Sequence, residues 1–161
     1  RIGLNHAPLA GSTVGMLNVH PNSRNVIPGR VFLTIDMRNP GAQQLAQMDA
    51  ELRDGIARIA ADGKLEASLE QIFHYEPIHF DESCVALVRK GAENFGYSAR
   101  EIVSGAGHDA CYLSGVVPAA MVFVPCIGGI SHNEVEDAKP EWIEAGANVL
   151  LSAMIAKANE T

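Results

Sequence analysis

The sequence predicts an α/β protein in two parts, an α+β unit with a ββαβ sheet followed by the C-terminal portion of a mixed α/β domain. Three observations carry that prediction. Two neighbouring runs near the start alternate apolar and polar side chains, the period of strands with one buried face. Between residues 40 and 60 the apolar spacing changes to three and four, the period of a helix. Beyond residue 80, helix-like and strand-like runs alternate, an order that lays helices on a parallel or mixed sheet.

The elements follow in order. RIGLNHAPLAG has no period and reads as a loop, so residues 1–11 stay unassigned. STVGMLNVH (12–20) and RVFLTIDMR (30–38) are strands, and the short Pro- and Gly-containing link between them makes an antiparallel pair. In the second strand Val31, Leu33, Ile35 and Met37 share one face, with Phe32, Thr34, Asp36 and Arg38 on the other. Asn39 is placed to cap a helix with Pro40 at its first position. Leu45, Met48, Leu52, Ile56 and Ile59 form its apolar stripe, and Asp62-Gly63 ends it. LEASLEQIFHYEPIHF then alternates as a third strand up to Pro77, and a boundary is expected between residues 77 and 81. In the second part, DESCVALVRKGAENFGY is a helix capped by Asp81 or Ser83, AREIVSG a short strand, GHDACYLSG a short helix, VPAAMVFV a buried strand, and the stretch from Pro140 a long helix.

Bulk properties narrow the function classes. The net charge is −7 over 161 residues and no lysine/arginine stripe is present, the reverse of a nucleic-acid or membrane-surface binder. No apolar run approaches the roughly 20 residues of a membrane helix. Cys84, Cys111 and Cys126 are odd in number and widely spaced. They are expected as free, largely buried thiols in a reducing cytoplasm.

Two segments place histidines at strand ends. In SGAGHDA, His108 and Asp109 open a helix after a glycine turn. Glycines there admit a ligand close to the backbone, and strand ends are where α/β sheets bind ligands. A tight turn with Asp109 as a helix-start acid is the equal alternative. In CIGGISHNEVED, His132 follows a second glycine turn, and imidazole is the side chain that binds metal or moves protons near neutral pH. Asp36 and Arg38 read either as a surface ion pair or as a fork for a carboxylate, with Asn25 beside Arg38 as an amide donor. No H-E-x-x-H, G-x-S-x-G, P-loop or dinucleotide fingerprint occurs. A catalytic metal site needs about three protein ligands, and His132 is the one residue at ligand spacing.

TVGMLNVHPNSRNVIPGRVFLTIDMRNP, SGAGHDA and VPCIGGISHNEVED, in this order, resemble the hydantoinase/carbamoylase family of amidases. That family lies within a clan of two-metal aminoacylases and metallopeptidases, and the similarity runs from about residue 13 to the end. The resemblance implies that residues 12–80 are most of a lid and dimerisation domain, and that 81–161 are the C-terminal part of a metal-dependent catalytic domain. It implies two divalent ions (zinc, manganese, cobalt or nickel) in the intact enzyme. His132 matches one metal ligand, while the remaining ligands and a catalytic glutamate lie upstream of this chain, which leaves open whether the chain alone holds metal. Asn25 and Arg38 match substrate-binding lid residues, Arg38 taking a carboxylate. Ser104, Gly105 and His108 match a pocket-lining loop, with His108 also catalytic and Asp109 orienting it.

The implied activity is hydrolysis of a linear carbamoyl or ureido C–N bond in a small carboxylate substrate, by a cytoplasmic homodimer formed through the lid. Two other readings remain open. One is a silent fragment that serves only folding or dimerisation, and the other a dipeptidase or aminoacylase of the same clan.

Overall fold

The structure, a computed structural model, describes residues 1–160. The chain divides into two compact units, one of Arg1–Ile78 and the other from His79 onward. The fold is mixed α/β with one small antiparallel sheet.

In the first unit, β1 (Gly11–His20) and β2 (Arg30–Arg38) pair antiparallel from Gly11 opposite Arg38 to His20 opposite Arg30. A bulge between Val14 and Met16 falls on Gly15, where a missing Cβ eases the extra residue. The connection closes with Gly29 donating its N–H to the His20 carbonyl at 2.9 Å. Helix α2 (Ala42–Gly63) follows and buries Met48 completely. Its start corrects the expected cap. Asn39 Oδ1 accepts the Gly41 N–H at 2.9 Å, so the side chain folds a turn two residues on instead of capping, and Gly41 precedes the first helical residue. At the other end Lys64 takes a left-handed φ of 52°. Leu65 N–H then reaches the Ala60 carbonyl at 2.8 Å, satisfying orphan groups of the last turn. The residues expected as loop at the start contain a one-turn helix, α1 (Ile2–Asn5). It is tied to α2 through His6 Nε2 and Glu51 Oε1 at 2.7 Å.

In the second unit, α3 (Glu82–Asn94) starts at Asp81, whose Oδ1 accepts the Cys84 N–H at 3.0 Å. It packs on α5 (Pro140–Ala158), with Gly91, Ala92, Val149 and Ala153 buried. Gly91 permits the approach, since a Cβ there would lie 3.3 Å from the Val149 carbonyl oxygen. Between them lie the short helix α4 (Asp109–Leu113) and a 3-10 turn at Ile127–Gly129.

Three expected strands are not strands here. Residues 65–80, 99–104 and 117–124 join no ladder among the described residues. Alternation reports which faces are apolar, while a strand also needs a backbone partner. The ββαβ expectation therefore reduces to ββα. Among the described residues no helix is long and apolar enough to cross a membrane.

Candidate functional site

The first unit holds Asn25 and Arg38. Arg38 ends β2 and forks onto Asp36, Nε to Oδ1 at 2.7 Å and Nη2 to Oδ2 at 3.2 Å. Residues two apart on a strand share a face, which makes this fork possible. Its hydrogen bonds, then its charge, push the guanidinium above the ordinary arginine value. Both side chains are more than half exposed, so the pair adds little stability. Asn25 lies in the β1–β2 connection, where its Oδ1 accepts from the Ser23 hydroxyl at 2.8 Å.

These two residues do not sit side by side as expected. In an antiparallel hairpin the connection lies at one end and the exit of the second strand at the other. The register puts Arg38 beside Gly11, and Arg30 beside His20 next to the connection. The eight steps of β2 at about 3.3 Å each put Arg38 roughly 26 Å from Arg30, the residue at the connection end of the strand.

The second unit holds Ser104, Gly105, His108 and His132. His108 immediately precedes α4 in extended conformation. Its Nε2 lies 2.7 Å from Ser104 Oγ, and Ser104 Oγ also accepts the Ala106 N–H at 3.2 Å. The glycine turn thus folds back so that the serine meets the imidazole. The ring's hydrogen-bond partner is Ser104, while Asp109 is exposed in the first turn of α4. The ring rests edge-on against Phe123, centroids 5.5 Å apart, and no residue crowds the Cβ direction of Gly105.

Phe123 belongs to the extended segment that runs into the His132 loop. That loop is closed at its base by Ile127 N–H donating to the Asp137 carbonyl at 2.7 Å. Gly128 and Gly129 have φ of 65° and 70°, where glycine alone is unstrained. His132 is exposed at the loop's apex, with φ 54° and its N–H donating to Glu136 Oε2 at 2.7 Å. Its imidazole makes no hydrogen bond or ion pair among the described residues.

Cys126 Sγ, at the root of the loop, lies 3.7 Å from Glu136 Oε1. Burial, then the Glu136 charge, pushes this thiol up. All three cysteines are free and half-buried. Glu136 escaped the sequence reading. Its one signal was an acid four residues after the histidine in HNEVE.

No group of three His, Cys, Asp or Glu side chains could hold an ion among the described residues. An imidazole such as that of His132 can serve as one ligand, but the described residues bring no full set to it.

Comparison with known proteins bears on this arrangement. The profile described as Peptidase family M20/M25/M40 matches residues 5–156. An N-carbamoyl-L-amino-acid amidohydrolase of Rhizobium meliloti is 42% identical over 154 residues, 96% of this chain and 37% of that protein. An allantoate amidohydrolase of Bacillus subtilis is 36% identical over 138 residues, 86% of this chain and 34% of that one. A crystal structure of an amidase of the hydantoinase/carbamoylase family from Burkholderia multivorans superposes with a TM-score of 0.93 at 70% identity. The match covers 99% of this chain and 39% of that one. The chain thus spans a little over a third of the length of the relatives it matches.

Proposed function

Because the chain belongs to peptidase family M20/M25/M40, we propose that it is part of a metal-dependent amidohydrolase that cleaves a carbamoyl or ureido C–N bond in a small carboxylate substrate. One observation carries this reading: the nearly end-to-end likeness to N-carbamoyl-amino-acid and allantoate amidohydrolases spans both histidine segments. The first unit is the lid and the second the C-terminal part of the catalytic domain.

Each residue has a task. His132 supplies one imidazole to a centre of two divalent ions, zinc, manganese, cobalt or nickel. Bound there, such ions lower the pKa of water and polarise a carbonyl. His108, held by Ser104, donates a hydrogen bond to the reacting carbonyl as negative charge develops on it. Gly105 leaves room for the substrate beside that donor. Arg38 takes the substrate carboxylate in exchange for Asp36, which already occupies the fork in the required geometry. Asn25 offers its amide to the same substrate. One water is consumed overall: the N-carbamoyl group leaves as carbon dioxide and ammonia, and the amine takes up a proton.

The hairpin adds a condition. Asn25 in the connection and Arg38 at the exit of β2 belong to opposite ends of a strand roughly 26 Å long, more than one small molecule spans. If both bind the same substrate, one of them comes from a second copy, which supports a homodimer through the lid. Three thiols without a disulfide support a reducing, cytoplasmic setting.

The test is ammonia release by the native full-length protein from N-carbamoyl-L-amino acids, allantoate and ureidoglycolate, with a dipeptide and an N-acyl amino acid as controls. Release from a ureido substrate that chelation stops and zinc, manganese, cobalt or nickel restores is the expected result. Cleavage of only the controls would move the protein to the dipeptidase or aminoacylase branch. The single metal ligand favours a second reading for the 161-residue chain taken by itself, that of a folded but catalytically silent module.

A further inference from the structure

We propose that Glu136 is the positioning residue that fixes the backbone of His132 and so aims its imidazole. The inference rests on reading His132 as a metal ligand.

His132 has φ 54°, a left-handed backbone that a non-glycine residue keeps only where its surroundings over-determine it. Here they do. Glu136 Oε2 accepts the His132 N–H at 2.7 Å, a short charge-assisted bond. The Glu136 N–H donates to the Asn133 carbonyl at 2.9 Å, and Asn133 Oδ1 accepts the Val135 N–H at 3.1 Å. The carboxylate that holds His132 is thereby itself held within a braced turn. Its other oxygen receives the Cys126 thiol at 3.7 Å, so one side chain ties the root of the loop to its apex.

A metal-bound histidine is ordinarily oriented by a carboxylate or carbonyl on its second ring nitrogen. No such partner meets the His132 ring among the described residues. Orientation reaches this ring through the main chain, by way of Glu136. Asp137 serves another purpose, its Oδ1 accepting the Ala138 N–H at 2.8 Å.

The test uses the native full-length protein with Glu136→Ala, Glu136→Gln and His132→Ala. Three quantities are read: the amide proton shift and exchange rate of His132 in the nitrogen-15-labelled protein, zinc affinity against a chromophoric chelator, and the visible spectrum of the cobalt(II) form. Glu136→Ala is expected to move the His132 amide upfield, speed its exchange, alter the cobalt spectrum and weaken zinc about 10- to 100-fold. Glu136→Gln keeps an acceptor oxygen at the same reach, and is expected to stay within about threefold of the parent.

An unchanged His132 amide with unchanged zinc affinity in Glu136→Ala would overturn the proposal. So would a glutamine variant as damaged as the alanine one while its circular dichroism stays native. Parental zinc affinity in His132→Ala would overturn the ligand reading instead, and the amide readout would still decide the Glu136 contact.

Discussion

At the scale of single residues, the site works through partners that hold a functional group still. His108 is an example. Its ring has one polar partner, Ser104, and one apolar one, Phe123. Ser104→Ala removes the polar partner and leaves the ring room to turn. The expected outcome is a five- to tenfold fall in kcat/KM, about the worth of one hydrogen bond. On the proposed role of His108 it should fall mainly in kcat, with a displaced pH profile. Steady-state kinetics across pH would check it, and an unchanged profile would remove Ser104 from the site. The candidate residues were picked out because SGAGHDA and GGISHNE stand out by composition. The partners were not. Asp109 was favoured over Ser104 because an adjacent acid is conspicuous, whereas a serine four residues back reaches the ring only after the glycine turn folds.

At the scale of elements, the His132 loop depends on how α5 receives the segment before it. A Cβ at Gly146 would stand 2.5 Å from Val124 Cγ1, a contact no relaxed structure keeps. Gly146→Ala should therefore push residues 119–124 off α5 and destabilise the second unit by about 1–3 kcal/mol, despite the better helix propensity of alanine. Urea unfolding followed by circular dichroism would measure this, and a variant as stable as the parent would show that the segment is not seated there.

The start of α3 makes a pH-dependent prediction. The Ser83 hydroxyl, then the Cys84 N–H, hold the Asp81 carboxyl below its usual value. A depressed folded-state value means that the cap stabilises above about pH 4, the unfolded range. That stability is lost as pH falls through the lower folded value. The thermal midpoints of the parent and Asp81→Ala should thus differ by a few degrees at pH 7 and converge below pH 4. A constant gap down to pH 2 would contradict the assignment.

Helices α2 to α5 and the β1–β2 pair were readable because their periods and turns are local, whereas α1 is too short to show a period and the cap of α2 was placed on the wrong residue. The segments at 65–80, 99–104 and 117–124 were misread because pairing is not local, and a chain can carry the pattern of a strand without containing its partner.

At the scale of the whole molecule, the balance of surface to core is unusual. The chain exposes 12,595 Å², where a compact monomer of 17.2 kDa would expose about 7,800 Å². Two separate units of half that mass would still expose only about 9,400 Å². Among the described residues the buried apolar side chains come down to Met48, Ala92, Val149 and Ala153, while Ile27, Ile72 and Val116 are largely open. Exposed apolar area on that scale favours association. The 161-residue chain prepared alone should bind anilinonaphthalene sulfonate strongly and sediment as species larger than a monomer. A dye-silent monomer would show that the chain satisfies its own surface.

The length of the β1–β2 hairpin has a genetic consequence. If Asn25 of one copy and Arg38 of another meet at one substrate, each defect spoils a different half of a shared pocket. Co-expressing an Asn25→Ala allele with an Arg38→Ala allele would then give mixed dimers with one pocket free of both lesions. Two inactive alleles would together restore up to about a quarter of the parental turnover, with half the dimers mixed and half their pockets intact, a rescue that arises because the hairpin is too long for one substrate to bridge.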